Sequence, residues 1–123
     1  MQTVTRLSEQ LEQYLSLAGR QLELTAGNMA NIDTPGYRSR GIDFAAEMRR
    51  SIEEFERGNQ APQKSSPRVF EVDGLLERPD GNNVSMDRES LNLAETQLEF
   101  RTGIELLKHE YRRISTAIHE DAR

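Results

Sequence analysis

Cysteine is absent from the 123 residues, which excludes disulfides and thiolate zinc sites and leaves the compartment open. No apolar run reaches the length of a membrane span. The first twenty residues are polar and amphipathic rather than a basic start followed by an apolar core, so neither direct membrane insertion nor a cleaved secretory signal is expected. No basic block with interleaved aromatics occurs, and the net charge of -5 is spread with both signs interspersed, so nucleic acid is not an expected partner. At 35% hydrophobic and 30% charged content, a chain of this size has a modest core and a heavily solvated surface. Its helices are therefore expected to lean on neighbouring subunits.

Catalytic patterns are also missing. His109-Glu110 and His119-Glu120 lack the second histidine one helical turn away that a zinc site on a helix needs. Asp80-Gly81-Asn82-Asn83 is too short for a calcium loop and has no closing glutamate at the required distance. There is no nucleophile elbow and no glycine-rich phosphate cradle. No enzyme activity, cofactor or metal is expected.

What is present is helical patterning around one polar turn. Val4, Leu7, Leu11, Tyr14, Ala18 and Thr25 follow steps of three and four with only Gln21 interrupting, and Leu15 and Leu22 widen the stripe. This predicts a one-faced helix over about residues 5–30. Gly19 and Gly27 weaken it by about 1 kcal/mol each relative to Ala, so burial of the leucine face must hold it. Beside Ala18 and Ala26, the same glycines offer another backbone a close approach. Pro35 stops the helix and, with Gly36, favours a type II turn. Asn28, Asn31, Asp33 and Thr34 have short polar side chains that can lock such a turn. Tyr37 offers a flat apolar face with a polar tip, suited to a contact surface.

Beyond the turn, Arg38–Gly41 reads as a polar connector, and Asp43 as the N-cap of a helix over 44–57 that stops at Gly58-Asn59. Residues 60–67 read as a loop. Val69, Phe70 and Val72 favour a strand, Asp73-Gly74 a tight turn, and Leu75-Leu76 a return strand completing a β-hairpin. Pro79-Asp80-Gly81-Asn82 makes another turn. Ser85 or Asp87 caps the last helix, where Leu93, Gln97, Phe100, Ile104, Leu107, Tyr111, Ile114 and Ile118 repeat at 4-3 spacing. This is a heptad seam with one polar member. Leu91, Ala94, Leu98 and Leu106 widen its apolar surface beyond a two-stranded seam. Gln97 either sets register or lies at the seam's edge.

The fold class expected is mainly α. Long N- and C-terminal helices pack as a coiled-coil-like pair, with a small middle region of one short helix, a loop and a β-hairpin. Three parts are expected: residues 1–44 (helix plus turn), 45–84 (variable middle) and 85–123 (C-terminal helix). The helix stripes are the expected subunit interface: Leu7, Leu11, Tyr14, Ala18 and Leu22 on the first helix, and Leu93, Phe100, Ile104, Leu107, Tyr111, Ile114 and Ile118 on the last.

Asn28, Asn31, Thr34, Gly36, Tyr37 and Arg38, with Pro35 inside the turn, resemble the N-terminal signature of the bacterial flagellar axial family of rod and hook subunits, Asn-x-x-Asn-x-x-Thr-x-Gly-Tyr-Lys/Arg. Asp80–Glu89, Leu93–Leu98 and the closing Ile114-x-x-Ala117-Ile118 resemble the ending of a proximal rod subunit of that family. The Tyr-x-Ala-Asn ending of other members is missing. The likeness covers both ends and leaves the middle unmatched.

The resemblance implies a structural subunit of the proximal rod of the flagellar basal body. Its terminal helices would polymerise into a hollow helical tube that transmits torque and passes exported subunits. Implied partners are copies of itself, other rod and basal-body proteins and the flagellar type III export apparatus. The implied place is the rod spanning the periplasm, reached without a cleaved signal peptide. The rival readings are a cytosolic coiled-coil adaptor or export chaperone for axial proteins, and a small helical enzyme.

Overall fold

The computed structural model describes residues 2–58 and 66–122, with side chains from Arg6 onward. Three helices and two short strands run in the order α1 (Gln2–Ala30), β1 (Arg40–Ile42), α2 (Phe44–Glu56), β2 (Val69–Glu71) and α3 (Met86–Asp121). The class is mainly α, as the heptad and stripe patterns predict. The long terminal helices pack on each other. They run antiparallel: Leu15 and Tyr14 face Gly103, Glu12 meets Tyr111, and Leu22 lies beside Thr96 and Phe100.

The short helix forms where its cap is. The Asp43 carboxylate accepts from the Ala46 N–H at 3.0 Å, and Gly58 follows the helix with φ of 77°, a conformation a Cβ disfavours. Phe44 meets Tyr14 of α1 edge to face, with ring centroids 5.2 Å apart. The α3 cap is Ser85, whose hydroxyl accepts from Arg88 N–H at 3.3 Å. Asp87 and Glu89 occupy the first turn, at the positive end of the helix dipole.

The middle region departs from the expected hairpin. Val69–Glu71 is a strand, but its partner is Arg40–Ile42, antiparallel, with Arg40 opposite Glu71 and Ile42 opposite Val69. The stretch read as a polar connector thus ends as a strand. Leu75-Leu76 does not return as a partner: Gly74 turns the chain at φ of 78°, and Leu76 is left almost fully exposed. A two-residue return would have made an isolated ribbon. Pairing with β1 instead lays the strand against the segment leaving α1. Most of the loop at 60–67 lies outside the described residues.

The core is small: among the described residues, Leu17, Ala18, Ile42, Phe55 and Val84 are the buried hydrophobic ones. Leu17 was not on the predicted stripe. It and Ala18 are successive, about 100° apart around the helix, so the covered arc of α1 is wider than one partner needs. The cause is a second covering, because α2 and β1 pack on α1 as well as α3.

Candidate functional site

Buried asparagines join the two ends of the molecule. At the end of α1, the Asn28 side chain accepts from Arg40 N–H at 3.0 Å and from the Tyr37 hydroxyl at 3.2 Å, while its amide donates to the Arg40 carbonyl at 2.9 Å. All of its polar atoms are spent on fixing the chain's reversal into β1. The turn itself matches its sequence. Tyr37 N–H donates to Thr34 C=O at 3.2 Å, and Gly36 takes φ of 75°. Asn31 donates back to the Gly27 carbonyl at 2.7 Å and accepts from Thr34 Oγ1 at 3.0 Å. Pro35 and Gly36 are exposed. Tyr37 does not present a free surface, for it is half-buried with its hydroxyl turned onto Asn28.

The other half of the latch comes from the segment just before α3. Fully buried Asn82 donates its amide to the carbonyls of Asn31, Ile32 and Thr34 at 2.9, 3.1 and 2.9 Å, and its oxygen accepts from Val84 N–H at 2.8 Å. Asn83 accepts from Ser39 N–H at 2.7 Å and donates to Val72 C=O at 3.1 Å. Gly36 N–H donates to Asp80 C=O at 2.9 Å, and the Arg78 guanidinium donates to the Ile32 carbonyl. Gly81 closes the approach: its φ is 86°, and a Cβ there would come within 3.5 Å of Gly36 Cα. The Gly27, Asn28 and Met29 carbonyls at the α1 terminus, which a helix end must satisfy somewhere, accept locally from the N–H groups of Asn31 and Ile32. The carbonyls of the turn that follows are capped from about fifty residues downstream. The turn read at 79–82 is present, with Gly81 N–H donating to Arg78 C=O at 2.9 Å, and it also caps a distant one.

The α1–α3 seam also differs from the predicted heptad. The buried positions of α3 are Glu89, Thr96, Gly103 and Glu110, seven residues apart. Leu93, Ile104, Leu107 and Ile114 of the expected stripe are half-buried, whereas Gln97, Phe100, Tyr111 and Ile118 are exposed. In this chain α1 rests on one shoulder of the apolar stripe rather than on its crest. The cause is steric. A Cβ at Gly103 would lie 2.8 Å from Leu15 Cδ2 and 2.9 Å from Tyr14 Cδ1, so glycine there lets α1 seat where a leucine line would hold it off. Gln97 lies at the edge. On α1, Ala18 is buried, Leu11 and Tyr14 are half-buried, and Leu7 and Leu22 are exposed. Gly19, read as a close-approach site, has nothing within 4 Å.

The seam carries carboxylates with incomplete partners. Glu89 pairs with Arg88 at 2.9 Å and Glu110 with Arg113 at 3.4 Å. One oxygen each of Glu89, Glu99 and Glu110 is buried without a hydrogen bond among the described residues. Burial, and then the charge of Glu95, pushes the Glu99 carboxyl above its ordinary value. Burial, and then Glu99, raises Tyr14. Tyr111 is raised by its hydrogen bond to Glu12, at 3.2 Å.

Gly103 was not singled out from the sequence, Asn82 and Asn83 were read only as part of a turn and of the family likeness, and Glu89 only as a partner of the helix dipole. Hydrophobic periodicity cannot flag them, because each is buried for its size or its hydrogen bonds. The signal that bore on the asparagines was the paired resemblance of residues 28–38 and 80–89, two segments that meet here.

The arrangement holds helices together. Among the described residues no cluster of His, Cys, Asp or Glu fits a metal ion, and no helix is long and apolar enough to cross a membrane. His109 and His119 are exposed.

No protein-family model matches the chain. It is 30% identical over 125 residues to the flagellar basal body rod protein FlgB of Proteus mirabilis strain HI4320, an alignment spanning 89% of this chain and 90% of that protein. It is 35% identical over 114 residues to the FlgB of Salmonella typhimurium strain LT2, covering 78% and 80%. The FlgB of Cereibacter sphaeroides is 32% identical over 118 residues, covering 86% and 88%. An alignment of such length takes in the latch, both terminal helices and the middle between them, and the chain belongs to the FlgB family of flagellar basal body rod proteins.

Proposed function

We propose that this chain is a structural subunit of the proximal flagellar rod, assembling through its two terminal helices with copies of itself and with other rod proteins. The observation that carries the reading is how the surface of α3 is divided. Its line against α1 is Glu89, Thr96, Gly103 and Glu110, while Leu91, Leu98, Phe100, Leu106, Tyr111 and Ile118 are exposed. An isolated helix pair would do the reverse, since each fully buried large apolar side chain stabilises by about 1.5–3 kcal/mol. Apolar residues held outward on a long helix mark contact with other chains. Repeated contacts between unlike faces produce an open helical assembly, which is the geometry of a hollow rod that transmits torque and passes exported subunits. Delivery by the flagellar type III apparatus and a place in the periplasmic span of the basal body belong to the same reading. The role is structural, with no enzymatic chemistry.

Fractionation tests it. The tagged full chain is expected in purified basal bodies, and a cytosolic adaptor or export chaperone would instead stay in the soluble cell fraction. Ile118→Asp, at an exposed position, is expected to leave expression and the helicity of the free chain unchanged while removing the subunit from basal bodies. Normal incorporation and motility in that strain would overturn the assignment of α3 as an assembly surface.

A further inference from the structure

α3 carries two apolar surfaces that α1 leaves open. The first is a groove beside the seam where Leu22 of α1 faces Thr96, Gln97, Phe100 and Arg101 of α3. Leu22 and Phe100 are both more than a third exposed, and Arg101 stands on the rim, exposed and without an ion pair among the described residues. The second is a leucine line on the opposite side. Leu91 and Leu98 are two residues on from the buried Glu89 and Thr96, hence about 160° away around the helix, and are 59% and 68% exposed. Asp87 and Glu95 flank that line, exposed and likewise without ion pairs among the described residues, and Arg101, three residues on from Leu98, separates it from the groove.

We propose that the Leu91/Leu98 line of one copy seats in the Leu22/Phe100 groove of a second copy, with Asp87 and Glu95 of the first against Arg101 of the second. This rests on the rod-subunit reading and deepens it by naming which face meets which. An amphipathic helix laid into an apolar groove is a recurrent recognition mode. In this pairing the Glu95 rim of the line and the Arg101 rim of the groove are of opposite sign, which favours the register that brings them together. Because groove and line occupy different sides of each molecule, the contact is heterologous and leaves a free groove and a free line at the two ends of every oligomer.

The absence of cysteine makes a direct test possible in cells that build their rods from the full-length chain. Leu22→Cys and Leu98→Cys in the same chain are expected to yield, on oxidation of purified basal bodies, a ladder of dimers and higher multiples, with neither single variant cross-linking. Glu95→Cys with Gln97→Cys, which spares every apolar residue, is expected to give the same ladder with a short thiol cross-linker. Arg101→Glu is expected to lower the ladder yield about two- to fivefold, and Glu95→Arg added to it is expected to restore the yield. The proposal is overturned if the chain is present in basal bodies but both double variants fail to ladder, if a single variant dimerises, or if the charge exchange restores nothing. Absence of the unmodified chain from basal bodies would instead overturn the rod-subunit reading itself, and this pairing with it.

Discussion

Where α3 begins, Asn28, Asn82 and Asn83 tie together the end of α1, β1 and the approach to α3, each buried and each with both side-chain polar atoms bonded. Toward the other end of α3 the cohesion is thinner. Beyond Gly103 the buried residue of α3 is Glu110, and the Tyr111 hydroxyl donates across to Glu12 of α1. The difference separates two kinds of specification. Directional bonds set the latch geometry and leave it one solution, whereas the far end presents apolar side chains, which are non-directional and accept whichever helix arrives. The first belongs to the chain's own fold, and the second suits contacts that form only between chains.

The comparison breaks most visibly at Asn82. Asn82→Ala leaves the buried Val84 N–H without its acceptor and removes one of the two donors at each of the Asn31, Ile32 and Thr34 carbonyls. It is expected to cost about 3 kcal/mol locally, since a buried group left unpaired carries its full desolvation penalty. Amide hydrogen exchange at Gly36, which bonds across the latch to Asp80, would rise a hundredfold or so on that figure. Unchanged protection there would mean the latch does not hold the turn. Next come the glycines. Gly103→Leu is expected to force the helices apart at a cost of about 2 kcal/mol by overpacking, read as a lower urea midpoint. Gly19→Ala, in open space, is expected to raise that midpoint by the helix-propensity gain of about 1 kcal/mol. If Gly19→Ala nevertheless blocks rod assembly, position 19 is a close approach between chains rather than within one.

The smallest effect expected is at Glu99. Its folded-state carboxyl titrates above the ordinary value, so the fold prefers the proton. That preference contributes fully below the unfolded-state value and is lost as pH rises through the folded one. The seam is therefore tighter on the acid side, and Glu99→Gln is expected to retain the acid-side urea midpoint at neutral pH. Partial exposure keeps the shift small. An unchanged pH profile in the variant would remove Glu99 from the account.

Most of the helical frame was legible in the sequence because caps and stoppers act locally. Asp43, Ser85, Pro35 and Gly58 each stand where the structure uses them. Strand partners were not legible. Val69–Glu71 carries a strand's residues, but nothing within three residues of it says whether Leu75 or Arg40 lies alongside. The seam misled for a related reason. The 4-3 apolar repeat identifies which residues of α3 want burial, and this chain satisfies only part of that demand. Which line α1 covers depends on where it can approach, and a glycine between two apolar positions decides that without any hydrophobic signature. The latch asparagines lie in turn-like sequence, and their long-range role was visible only as two matching segments far apart in the chain.

The bond from Asn82 to Asn31 spans 51 residues, and this has a consequence for the order of events during folding. A nascent chain that has emerged only as far as α2 has the first helix, its reversal and their local bonds, but not the donations from Arg78 and Asn82. Closing so long a loop carries an entropic cost that grows slowly with its length, and contacts of this separation slow folding. The turn after α1 therefore lacks its long-range bonds until about two thirds of the polypeptide exists.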